Sequence, residues 1–75
     1  MASIDKIVDK MKRQPNGISI DEADKVLNHH GYVFVKQRGS HKQYRNSKGD
    51  KMSIPRRTPT ILPCYVNEII GKLGL

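Results

Sequence analysis

A β-branched and aromatic run, Tyr32-Val33-Phe34-Val35, lies between stretches whose apolar residues repeat at helical spacing, and this alternation commits the chain to a mixed α+β fold. Ile4, Ile7, Val8 and Met11 recur at i, i+3, i+4 and i+7 with Ser3 placed as an N-cap, which predicts a short amphipathic helix ending before a Pro15-Asn16-Gly17 turn. Ser19 followed three residues later by Glu22 forms a capping box. Ala23, Val26, Leu27 and His30 then supply one apolar face, and Gly31 closes the second helix as C′. Near the other end, Val66, Ile69, Ile70 and Leu73 predict a third helix with Pro63 in its first turn.

The middle of the chain reads as a meander. Gly39-Ser40 suits a two-residue type II′ hairpin turn, so a second strand begins at His41 and runs to about Arg45. The loop Asn46-Ser47-Lys48-Gly49-Asp50 leads to a third strand, Lys51 to Ile54, which stops at Pro55. The expected order is helix, helix, three antiparallel strands, helix, with the helices packed on one face of the sheet. At 75 residues the whole chain, 1–75, is a single small domain.

A turn at Gly39-Ser40 sets residue 38 opposite 41, 36 opposite 43, 35 opposite 44 and 34 opposite 45. Val33, Val35 and Tyr44, joined by Met52 and Ile54, are then expected to face the helices. Phe34, Lys36, Arg38, His41, Gln43 and Arg45 are expected on the opposite, half-solvated face. Tyr32 and Phe34 are as apolar as Val33 and Val35, so the first strand alone does not fix this register.

Charge is distributed very unevenly. Between residues 36 and 57 stand eight lysines and arginines against Asp50 alone, so this stretch carries the whole net charge of +7 and the remainder is balanced. Such a surface draws polyanions, and nucleic acid is the first partner to consider. An imidazole at its centre, His41, adds a group able to transfer protons near neutral pH. A solvated basic hairpin is the ordinary alternative, as is an exposed histidine beside a turn; confinement of the charge to one face favours binding.

Other chemistry finds little footing. One cysteine excludes an internal disulfide and indicates a reducing compartment, with Cys64 expected in the core. Three histidines and that cysteine lack ligand-like spacing, so neither a metal site nor a cofactor is expected. His29 and His30 close the second helix, where a cation complements the dipole. The N-terminal residues have neither the apolar centre of a signal peptide nor a membrane-spanning run, and a cytoplasmic location is expected.

Gly31-Tyr32, Gly39-Ser40-His41 followed by Tyr44, Ser53-Ile54-Pro55 and the C-terminal amphipathic segment together resemble the HicA family of toxins from bacterial HicA-HicB toxin-antitoxin pairs. The resemblance runs from about Ser19 to the C-terminus. It implies a fold like the double-stranded-RNA-binding domain, α-β-β-β-α, here with an extra short N-terminal helix. It also implies metal-free cleavage of messenger RNA by the histidine of the Gly-Ser-His motif, which is His41. A HicB-type antitoxin is the implied partner, and contact with operator DNA would be made chiefly through that antitoxin. Lys42 and Gln43 depart from relatives, which are often more apolar here or carry a second histidine.

RNA differs from DNA by the 2′-hydroxyl beside each phosphodiester, so a histidine can act without a metal by taking that proton. Arg38, across the hairpin, is the candidate for stabilising charge on the phosphoryl oxygens. Lys36 and Arg45 are expected to hold flanking phosphates, and Ser40, Lys42, Arg56 and Arg57 complete the candidate RNA-binding set. Two alternatives share this topology: a non-catalytic double-stranded-RNA-binding module and a catalytically decayed toxin that serves only in protein interaction. Modules of the first kind are known for a lysine cluster at the start of the last helix, where this chain has only Lys72, near the helix end.

Overall fold

Ser3 opens the first helix, α1 (Ile4–Arg13), by accepting a hydrogen bond from the Lys6 N–H, and the helix buries Ile7 and Met11. The structure is a computed structural model and describes residues 3–56 and 59–75. A 3₁₀ turn, Pro15–Gly17, follows and brings Ile18 into the core. The second helix, α2 (Ile20–His29), begins with the full reciprocal capping box. Ser19 Oγ accepts from the Glu22 N–H (3.2 Å), and the Glu22 carboxylate accepts from the Ser19 N–H (3.0 Å). Lys10 of α1 reaches the same carboxylate at 3.1 Å, so one residue caps α2 and ties the two helices together.

Gly31 (φ 89°) ends α2 in the left-handed conformation that glycine adopts without a Cβ clash. Its N–H bonds to the Asn28 carbonyl and the Tyr32 N–H to the Leu27 carbonyl. These two bonds reverse the chain and seat Tyr32 in the core beside Leu27. His30 is exposed, contrary to its expected place on the buried face, because it is the C-cap residue and has left the helical stripe.

Three antiparallel strands follow in the order β1 (Val33–Arg38), β2 (His41–Arg45), β3 (Lys51–Pro55). Gly39 has φ 57°, and Ser40 is not in the positive-φ region, which excludes a type I′ turn and agrees with type II′. The expected pairs Arg38↔His41 and Lys36↔Gln43 are present. Beyond them a bulge at Val35 shifts the register, so Phe34 lies opposite Tyr44 and Val33 opposite Arg45. The expected pairs 35–44 and 34–45 are therefore corrected. One extra residue on β1 turns Phe34 to the helix side and leaves Val33 and Val35 exposed rather than buried.

The second ladder is regular, pairing His41 with Pro55, Gln43 with Ser53 and Arg45 with Lys51. Asn46 organises the connecting loop, its side-chain oxygen accepting from the Lys48 and Asp50 N–H groups. The last helix, α3 (Pro63–Leu73), buries Val66 and Ile69 and ends at Gly74 (φ 68°). Cys64 is exposed in its first turn, not in the core, since it lies off the stripe formed by Val66 and Ile69.

Tyr44, Met52 and Ile54 from the sheet meet Ile7, Met11, Ala23, Val26, Leu27, Val66 and Ile69 from the helices in one core. The Ile61 N–H bonds to the Ile18 carbonyl (2.8 Å), and both side chains are buried, so the segments entering α2 and α3 close the same core. The architecture is α+β and agrees with a double-stranded-RNA-binding-domain-like fold carrying an additional N-terminal helix. Among the described residues no helix is long and apolar enough to cross a membrane.

Candidate nucleic-acid interface

Strand alternation sorts the basic residues onto two faces. His41, Gln43 and Arg45 share the face opposite the core with their partners Arg38 and Lys36 on β1 and Ser53 and Lys51 on β3. His41 is exposed at the first position of β2, immediately after the hairpin turn. A groove of about 660 Å³ opens on this face and is lined in part by His41, Lys36, Arg45, Lys51 and Ser53. Arg38 is directly across the ladder from His41 but does not line the groove.

Lys42 turns the other way. Its ammonium lies 2.7 Å from Asp24 of α2 and 5.2 Å from the centre of the Phe34 ring. Asp24 also accepts a hydrogen bond from the Tyr44 hydroxyl, so Lys42, Tyr44 and Asp24 join sheet to helix as one polar knot. The candidate RNA-binding set is thus divided, with Lys42 on the helix side and Lys36, Arg38 and Arg45 around His41. Ser40 lies in the turn, where its carbonyl accepts from the Arg56 N–H and holds the end of β3 near the hairpin. Arg56 is exposed, and Arg57 lies outside the described residues.

Three lining residues were not singled out from the sequence. Lys51 could have been placed by extending the strand register across the Asn46–Asp50 loop, since it faces Arg45. Tyr65 and Glu68 come from α3 and reach the groove from a different element. Their i, i+3 spacing puts them on one side of a helix, but no local pattern says that this side borders the sheet. Lys72 helps to set that placement by donating to the Lys51 carbonyl (2.9 Å). Glu68 is, among the described residues, the one carboxylate in a lining that is otherwise neutral or cationic.

A groove rich in cations and bordered by an exposed imidazole can bind a phosphodiester chain and move a proton beside it. Comparison with protein families carries the assignment further, because the model of the HicA toxin of bacterial toxin-antitoxin pairs matches residues 20–75. The chain belongs to the HicA toxin family. Neither curated proteins nor solved structures offered a match. HicA membership implies a toxin that pairs with an antitoxin. The matched region contains α2, the whole sheet and α3, and therefore every residue of the groove; α1 lies outside it.

Proposed function

We propose that this HicA-family chain is an endoribonuclease that cleaves messenger RNA without a metal, using His41 as general base. The imidazole takes the proton of a 2′-hydroxyl, and the freed oxygen attacks the adjacent phosphorus. The bond from phosphorus to the 5′-oxygen breaks, and that oxygen gains a proton from water, whose hydroxide then takes the proton held by the His41 imidazolium. The products are a 2′,3′-cyclic phosphate and a 5′-hydroxyl end. Arg38 stabilises the negative charge that grows on the phosphoryl oxygens, while Lys36 and Arg45 hold neighbouring phosphates.

The observation that carries this reading is the exposure of His41 on the sheet face where Lys36, Arg38, Arg45 and Lys51 gather. A double-stranded-RNA-binding module is less well supported, since Lys72, the lysine of α3, donates to the Lys51 carbonyl. A HicB-type antitoxin silences the enzyme by covering the His41 face with acidic residues, and operator DNA is contacted through the antitoxin.

Wild-type and His41→Ala chains, induced without antitoxin, test the proposal through growth and the integrity of a defined messenger RNA. Only the wild type is expected to arrest growth and destroy the transcript. Purified His41→Ala should cleave about 10²- to 10⁴-fold more slowly, with RNA affinity retained and wild-type cleavage undiminished by a chelator. Equal cleavage by both chains, or RNA binding lost in parallel with cleavage, would overturn it.

A further inference from the structure

Val33, Phe34 and Val35 are 58%, 50% and 52% exposed, three consecutive large apolar side chains on the edge strand β1. Leu62 is the other large hydrophobic exposed among the described residues, and it lies far along the chain. Edge strands are usually protected by charge or cover, because an open apolar edge invites association. The core does not need these residues, as Tyr32, Tyr44, Met52 and Ile54 fill the sheet's inner side. The bulge at Val35 explains how the strip is presented. Phe34 pairs with Tyr44 on the helix side, while Val33 pairs with Arg45 on the His41 side and Val35 lines the groove.

We propose that this strip is the apolar anchor for the antitoxin, which straddles the β1 edge and extends from there across the His41 groove. The proposal rests on the toxin-antitoxin assignment and not on the ribonuclease reading. The partner segment carries apolar side chains for Val33, Phe34 and Val35 and carboxylates for Lys36 and Arg38, the next cations along the strand. Charge selects this occupant. A second copy of the chain would bring its own +7 against Lys36, Arg38 and Lys42. RNA gains little from two aliphatic side chains, and Phe34 sits on the side of β1 away from His41. The bulge also interrupts the regular edge that simple strand addition would use, so recognition is through side chains rather than a continued ladder.

Val33 and Phe34 do not line the groove, which allows antitoxin binding to be separated from RNA cleavage. Val33→Ser and Phe34→Ser, alone and combined, are titrated calorimetrically with the HicB-type antitoxin of the same pair, with circular dichroism monitoring the fold. Each single variant should bind about 10-fold more weakly and the double variant about 100-fold or more, as expected for central apolar anchors. The variants should still cleave a defined RNA at the wild-type rate, and antitoxin co-expression should no longer restore growth. If Phe34→Ser unfolds the chain, Val33→Ser alone decides.

Antitoxin affinity unchanged in a folded variant would overturn the proposal. So would RNA cleavage falling in step with antitoxin binding, or a wild-type dimer that Val33→Ser abolishes. A wild-type chain that cleaves no RNA would refute the ribonuclease reading, while the antitoxin titrations would still decide the docking surface.

Discussion

Lys42 shows how much a single position in a strand determines. It is adjacent to His41 in sequence, yet strand alternation sends it to the opposite face, where Asp24 and the Phe34 and Tyr44 rings surround its ammonium. Its side chain is only 17% exposed, so its charge serves the joint between β2 and α2 more than any ligand on the outer face. Lys42→Ala is accordingly expected to lower stability by about 1.5–3 kcal/mol, the range for hydrogen bonds to charged groups, in urea denaturation. Its RNA affinity, measured at a temperature where the variant is folded, should match the wild type. Lys36→Ala and Arg45→Ala should do the reverse, weakening RNA binding with little change in stability. A loss of affinity in Lys42→Ala equal to theirs would mean that the Asp24 pair opens when RNA binds. The sequence already held the alternation that separates Lys42 from His41. Charge counting along the chain obscures it, because it sums both faces of a strand.

Among the elements, α2 was the most legible because its signals are local. Ser19, Glu22 and Gly31 each satisfy backbone groups within a few residues of themselves, and all three act as their spacing predicts. α1 was legible in the same way, from Ser3 and the Ile7–Met11 stripe, although it lies outside the matched family region. β1 was legible as a strand and in its pairs next to the turn, but not in its register before Lys36, since four successive apolar residues give no alternation and a bulge leaves no compositional mark. The groove was legible on β1 and β2 and not on α3, because the approach of Tyr65 and Glu68 depends on how a distant helix packs. The joint between α1 and α2 yields a pH prediction. Burial alone would raise the Glu22 pKa, but the Ser19 N–H, the Lys10 ammonium and the Ser19 hydroxyl outweigh it and hold the carboxyl below its ordinary 4.5. The folded state therefore takes up this proton at lower pH than the unfolded state does. The stabilisation is complete above the unfolded value and disappears as pH falls through the lower folded one. Glu22→Gln should lose less stability than the wild type between neutral pH and the acid range below 4.5, read as the shift in melting temperature. Identical acid sensitivity of the two chains would show that the capping box contributes nothing specific at its carboxylate.

Across the whole molecule the charge outside residues 36–57 balances, and of the cations within that stretch Lys36, Arg38, Arg45 and Lys51 share the outer face of the sheet. Lys10–Glu22 and Arg13–Asp9 pair cations on the helical side with nearby carboxylates, which leaves the long-range field to the outer face of the sheet. A polyanion is therefore drawn toward the side that carries His41, and its approach releases counterions from its own phosphates. For single-stranded RNA held at three or four phosphates, the logarithm of affinity should fall against the logarithm of salt concentration with a slope of about −2 to −3. Lys36→Ala and Arg45→Ala should each reduce the steepness by about 0.7, the contribution of one phosphate contact. His41→Ala should leave it unchanged, because the proposed general base contacts a ribose hydroxyl and not a phosphate. Fluorescence anisotropy with a labelled oligoribonucleotide, repeated from low to moderate salt, provides the measurement. A flat salt response in the wild type would place recognition in base contacts and remove the electrostatic basis for RNA binding. An equal slope in Lys36→Ala, Arg45→Ala and the wild type would move the phosphate path off the His41 groove, and with it the geometry on which proton abstraction depends.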